Sequence, residues 1–223
     1  GTVVDHLQSY KGSDDGFEWF GGTVNVKYLV ATDNSDDSFD WTEGWQGKGQ
    51  FLVAVQGSES AIGYECDCLI EADNNSKDFA AQPVSAPILA NLTLCGNGSA
   101  LNKRGIRLRA GTNVKLYNAL VTGKPNCLTT ETIETESSLV NGTSELDFIY
   151  LAGKLSAAEG YYSESMFTAN GNNGIDKEIL FTSDYIGTVE GGKDMSLVHS
   201  FFTKTNYKGA VPSGNDWTAG WCK

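Results

Sequence analysis

At 223 residues and 40% hydrophobic content the chain can bury a core, but apolar stretches such as Phe51–Val55 are far too short to span a membrane. A formal charge of −12, from 28 acidic against 16 basic residues, argues against nucleic acid and anionic membranes, which need Lys and Arg concentrated on one surface. The same charge suits cations, neutral glycans or a salt-tolerant extracellular protein, and 26 Gly against 4 Pro suit tight turns between short strands.

The chain opens in strand-like sequence, Gly1-Thr2-Val3-Val4, with no Met and no signal peptide. The expectation is a processed or partial segment with coils missing on its N-terminal side, because a first strand over Thr2–Tyr10 would otherwise leave an open edge. A duplicated phrase follows. Ser13-Asp14-Asp15-Gly16-Phe17-Glu18-Trp19 returns as Ser35-Asp36-Asp37-Ser38-Phe39-Asp40-Trp41, at an offset of 22 residues. Strand-like segments flank the copies. In Thr23–Thr32, Val24, Val26, Tyr28 and Val30 alternate with Asn25, Lys27 and Leu29, the period-2 signature of a strand. A repeat of about 20–30 residues built from strand and polar turn reads as one coil of a solenoid. Equivalent residues then stack, so Asp14, Asp15, Asp36 and Asp37 are expected to form an acidic ladder on one flank, with Asp40 beside it.

Gln50–Gln56 reads as the next strand. Gly57–Ser85 reads as a polar excursion carrying a second acidic cluster from Glu65 to Asp78. Ile88–Leu94 is another strand. Gly105–Thr112 leading into Val114–Asn118 echoes Phe17–Thr23 leading into Val26–Tyr28, and Asn91 and Asn118 occupy similar strand positions suited to an Asn ladder. After Lys124 the pattern changes: Thr129–Thr143 reads as a loop or short helix, and Leu155–Met166 as helical. Asp216-Trp217-Thr218-Ala219-Gly220-Trp221 reads as a cap over the last coil. The expected organisation is coils over 1–124, then irregular final coils and a cap over 125–223, in one continuous domain. Cys66, Cys68, Cys95, Cys127 and Cys222 are odd in number; a Cys95 bridge to Cys66 or Cys68 is conceivable, but thiols buried in a core are the simpler reading. Zinc is disfavoured, with no CxxC pair and only His6 and His199.

Several phrases together carry a resemblance: Asp14–Asn25 with Lys27-Tyr28-Leu29; Asp36–Asp40 with Gly44, Gly47 and Gly49-Gln50-Phe51; Glu71–Asn75 with Pro83, Ser85, Pro87 and Asn91–Leu94; and the closing Asp216–Trp221. The chain resembles secreted or lipid-anchored right-handed parallel β-helix proteins of Bacteroidetes-type bacteria, over Thr2 to about Val121 and the last twenty or so residues. The resemblance implies an all-β parallel β-helix and an exported, cell-surface location. It also implies further coils and an export signal before the segment corresponding to Gly1. It implies no particular activity.

Three chemistries follow from the residues. Carboxylates stacked one strand apart repel unless they are solvated or bridged by a cation. Asp14, Asp15, Asp36, Asp37 and Asp40 therefore form a candidate Ca²⁺ site, the alternative being aspartates that cap turn backbone. Asp36 and Asp37 could serve as acid and base in glycoside hydrolysis, with Arg107, Arg109 or Lys115 as a lyase base or substrate-carboxylate anchor. Gly-His-Gly and Arg-Ile-Lys, motifs of β-helix polysaccharide enzymes, do not occur, and Arg107 and Arg109 alternate with Ile106 and Leu108 as the solvent face of a strand would. Trp19, Phe20, Trp41 and Trp45 cluster near the acidic turns. The shared offset puts Phe17/Phe39 and Trp19/Trp41 in a core ladder, leaving Trp45 as the candidate sugar platform. The favoured reading is a non-catalytic surface or adhesion-type protein presenting a flank to glycan. A β-helix polysaccharide lyase or hydrolase is the alternative, and a structural spacer a third reading.

Overall fold

The computed structural model describes residues 2–99, 101 and 104–223. The chain winds through six coils, each adding one strand to each of two parallel sheets. Sheet A contains β1 (Val4–Tyr10), β3 (Val26–Thr32), β5 (Lys48–Val55), β7 (Ile88–Cys95), β9 (Lys115–Thr122) and β11 (Glu145–Leu151). Sheet B contains β2 (Phe17–Phe20), β4 (Phe39–Thr42), β6 (Ile70–Ala72), β8 (Arg104–Leu108), β10 (Asn126–Thr130) and β12 (Lys154–Ala157). This is an all-β parallel β-helix. Helix α1 (Glu59–Ile62) lies in the excursion before β6, α2 (Ile133–Val140) joins β10 to β11, and α3 (Glu164–Thr168) follows β12 and buries Phe167.

Period-2 alternation in sheet B sends one column inward and the next outward. Phe17, Phe39, Ile70, Ile106, Leu128 and Leu155 share an inward column, and Trp19, Trp41, Ala72 and Leu108 share the next. The expected echo is therefore real: Ile106 and Leu108 occupy the columns of Phe17 and Trp19. The excursion before Ser85 is not all loop, because β6 inside it supplies the third coil. Gly16 permits close stacking of the duplicated turns, since a Cβ there would lie 2.5 Å from Ser38 O.

Sheet A breaks the alternation at one place in every strand. His6, Tyr28, Phe51, Asn91, Asn118 and Phe148 all have positive φ, between 51° and 62°, and each is skipped in the strand pairing. A left-handed residue bends the strand and lets Val26, Leu29 and Ala31 all face the core, so the strict alternation expected through Tyr28 does not hold. Such residues cost about 1–3 kcal/mol each unless their surroundings hold them. Here they stack: His6 lies 4.5 Å from Tyr28, and Tyr28 lies 4.9 Å from Phe51, ring centroid to centroid. Asn91 faces Asn118 in the same column, as their strand positions predict.

Two expectations about the second half are corrected. The final coils are regular where irregular ones were expected: β10, β11 and β12 continue both sheets to Ala157, and Leu155–Ala157 is strand where a helix was expected. The tail does not cap the last coil. After Gly174 bridges to Tyr150, residues 175–223 run back across the outer face of sheet A to the first coil. This segment holds a short antiparallel ribbon, β13 (Gly187–Glu190) and β14 (Tyr207–Val211). Trp217 meets Tyr28 edge-on at 5.1 Å, and Lys223 N donates to Gln8 Oε1 at 2.8 Å. Cys68, Cys95, Cys127 and Cys222 are free thiols, and Cys66, Cys68 and Cys127 are buried.

A candidate carboxylate face on sheet B

The outward column of sheet B reads Glu18, Asp40, Glu71, Arg107, Thr129 and Ser156 from the first coil to the last. The turn before each of the first three strands adds Asp14-Asp15, Asp36-Asp37 and Asp67-Cys68. The expected acidic ladder is thus present, and it extends one coil further. The sequence put Asp67 in a separate acidic cluster, Glu65 to Asp78, rather than on this ladder, because α1 and its loop stretch the third repeat to an offset of 31 residues from Asp36; Cys68 carried no such signal. Glu18 was legible, since it is the first-copy partner of Asp40 at the same 22-residue offset.

Asp15 and Asp37 each tie two coils together. Asp15 Oδ1 accepts from Asp37 N at 3.0 Å, and Asp37 Oδ1 accepts from Cys68 N at 2.6 Å. Both residues also lie within acidic clusters, so the backbone-capping and clustered readings are both realised. Asp14 and Asp36 are exposed. Asp15, Glu18 and Asp40 bring one oxygen each within 4.8 Å of one another, as do Asp14, Asp15 and Asp36, and as do Asp37, Asp67 and Cys68 with its thiol. Asn34, beside the second pair, is committed elsewhere: its Oδ1 accepts from Ser9 Oγ and Gly12 N.

Burial without cationic compensation raises these acids. Asp40 is pushed up to about 8, chiefly by desolvation and then by Asp15, Glu71 and Glu18. Desolvation, reinforced by Glu71 and Asp67, pushes Asp37 up to about 9, and it takes Asp15 to about 6 against the pull of its bond from Asp37 N. Glu18 and Asp36 are also raised, first by desolvation. Asp40 Oδ1 is buried without a hydrogen-bond partner. Among the described residues, no Lys or Arg forms an ion pair with Asp14, Asp15, Glu18, Asp36, Asp37 or Asp40. A hard cation that takes oxygen ligands answers both the repulsion and the orphaned oxygen.

The charge pattern reverses further along the same face. Arg107 donates to Glu131 through Nε and Nη2, both at 3.0 Å, and to Glu71 through Nη1 at 2.6 Å. Arg109 reaches Glu71 at 3.3 Å and Asp73 at 3.2 Å, and Arg104 reaches Glu131 at 3.5 Å. Burial opposes the Glu131 charge, but Arg107 and its neighbours outweigh it and hold that carboxyl below its ordinary range. Arg107 is likewise raised despite burial, by Glu131 and Glu71. Arg107 and Arg109 thus lie on the outward face as expected, but as members of an ion-pair network.

Trp45 is a correction. It is fully buried, stacked on Trp19 at 4.4 Å and 7°, and its Nε1 donates to Val24 O. Trp41 tilts away to donate to Thr112 Oγ1, and Trp45 takes the rung beneath Trp19 that the 22-residue repeat assigned to Trp41. It offers no ring face to a sugar.

A parallel solenoid with one covered face and one open, charge-patterned face defines the class: a β-helix whose sheet B is its accessible surface. The description "pectate-lyase like beta helix domain" fits residues 1–222, and the chain belongs to that family. No curated protein and no solved structure matches it.

Proposed function

We propose that the chain is an exported, non-catalytic β-helix whose acidic end of sheet B binds a divalent cation, with Ca²⁺ as the match, and presents it to a surface glycan. The observation that carries this reading is the trio of Asp15, Glu18 and Asp40, with one oxygen from each within 4.8 Å of the others and with Asp40 Oδ1 buried without a hydrogen-bond partner. Asp14 and Asp36 would complete the acidic environment at the solvent edge. Ca²⁺ takes 6–8 oxygens, so a cation held by these carboxylates keeps positions for ligand oxygens, and an acidic glycan supplies them. The exported, adhesion-type role rests on the resemblance to secreted and lipid-anchored β-helix proteins and on the net charge of −12.

The arginines favour binding over elimination chemistry. A lyase base must be uncharged to take the substrate's proton, whereas Arg107 lies between Glu71 and Glu131, which favour its charged form, and Arg109 pairs with Glu71 and Asp73. A second reading, glycoside hydrolysis, is favoured by one observation: Asp40 and Asp15 titrate near 8 and 6, so one is protonated while the other is ionised near neutral pH.

Calorimetric titration of Ca²⁺ into wild type and into Asp40→Asn/Asp15→Asn tests the proposal, followed by a glycan array with and without EDTA. Saturable Ca²⁺ binding lost in the double variant, with EDTA-sensitive glycan binding, is expected. No Ca²⁺ binding would sink the cation, and neither binding would leave a spacer. Release of reducing ends from bound polysaccharide, lost in Asp40→Asn, would replace this reading with the hydrolase.

A further inference from the structure

In a solenoid each coil touches only its neighbours, so stability is passed from coil to coil. Within this chain β1 pairs with β3, and β2 with β4. Much of it is exposed, including Leu7, Tyr10 and Phe20. Contacts from residues 175–223 change that topology.

The tail is fastened to the first coil, to the fifth and sixth, and to the coils between them. Near the last coils, Asn118 receives from Lys193 N at 2.7 Å and donates to Lys193 O at 2.8 Å. The buried Lys208 donates to Gly191 O at 2.7 Å while its Nζ lies 4.5 Å from the Tyr150 ring. In the middle, Asn91 donates to Tyr207 O and Gly209 O, Thr93 Oγ1 accepts from Ala210 N, and Gln50 both accepts from Thr203 N and donates to Thr203 O. At the first coils, Trp217 and Trp221 close over His6 and Tyr28, and Gln8 exchanges two hydrogen bonds with Lys223 at 2.8 and 3.1 Å. The tail is also tied to itself, since the Trp217 indole donates to Ala210 O and the Trp221 indole to Trp217 O.

We propose that residues 175–223 act as a clasp that couples the first coil directly to the fifth and sixth, so that the outer face of sheet A and the first coil are held, or released, together. The anchor points are side chains of the left-handed column, His6, Tyr28, Asn91 and Asn118, together with Gln8, Gln50 and Thr93 beside it. The inference is independent of what sheet B binds.

Hydrogen–deuterium exchange on the full chain tests it, strand by strand. Asn118→Gly keeps the left-handed backbone and removes only the two bonds to Lys193. Clasp coupling then speeds exchange in β1 and β2 by about tenfold, while β4 and β6, which lie between and outside the clasp, change by less than about twofold. A nearest-neighbour solenoid gives the opposite pattern, with β8 and β10 affected and β1 and β2 unchanged, and that result would overturn the proposal. Trp217→Ala is expected to speed β1 and β2 more strongly. Should it fail to fold, Gln8→Ala removes the two bonds to Lys223 together with one to Thr32 Oγ1, and is expected to give the same pattern at smaller amplitude, with Thr32→Val as the control for the bond within sheet A. A uniform rise across all strands in every variant would mean simple destabilisation and no clasp.

Discussion

Both sheets present an outer face of in-register strands, yet one is covered and the other open, and the side chains show why. Sheet A carries Gln50, Asn91, Thr93 and Asn118, neutral groups that bond a passing backbone and are themselves buried, and where it carries Glu145 and Asp147 the tail brings Lys193 to pair them. Sheet B carries Glu18, Asp40, Glu71, Arg107 and Arg109, whose charges cannot be buried without partners. A neutral amide loses little on leaving water when its hydrogen bonds are replaced, whereas an ion loses far more. The face that can be covered is therefore covered, and the face that must stay wet is the one free to meet a ligand.

The largest expected effect lies on the covered face. Asn91→Ala strips anchors from Tyr207, Gly209 and Gln50 and forces Ala into a left-handed position, so a loss of about 3 kcal/mol is expected in urea unfolding. Asn91→Gly separates the two causes by restoring the backbone alone. On the open face, Arg107→Met leaves Glu71 and Glu131 facing each other without their shared cation. About 2 kcal/mol should be lost at neutral pH. Because Glu131 is held below its ordinary range, its contribution is present at neutral pH and disappears as pH falls, so the gap between variant and wild type should close below about pH 4.

The acidic end titrates in the other direction. Asp15, Asp40 and Asp37 are raised to about 6, 8 and 9, so the folded chain holds protons that the unfolded chain releases. That stability is fully present below about pH 4 and is lost as pH rises through those values. In EDTA the melting temperature is expected to fall between pH 5 and pH 9, and millimolar Ca²⁺ should reverse much of the fall. At a hundredfold excess over Kd, binding adds about 2.7 kcal/mol. A flat profile in EDTA would remove the uncompensated cluster that separates the two faces. The smallest effect is Asp14→Asn: stability within about 0.5 kcal/mol of wild type, as for an exposed position, but Ca²⁺ affinity weakened a few-fold.

The duplicated Ser-Asp-Asp phrase determined the solenoid, the stacking of Asp14 on Asp36 and Asp15 on Asp37, and the inward Phe17–Phe39 ladder, because equal spacing in the chain becomes vertical alignment in coils. It also put Arg107 and Arg109 on an outward face through period-2 alternation. Tertiary structure alone decided the rest. The loop carrying α1 lengthens the third repeat, so Asp67 and Cys68 join the ladder at a spacing that no fixed offset finds. Trp45 is buried because Trp41 turns to Thr112, a partner 71 residues away. The tail crosses sheet A because amides distributed over several coils meet its backbone only once those coils are stacked. Each outcome depends on residues far apart in sequence competing for one place in space, and local pattern carries no record of that competition.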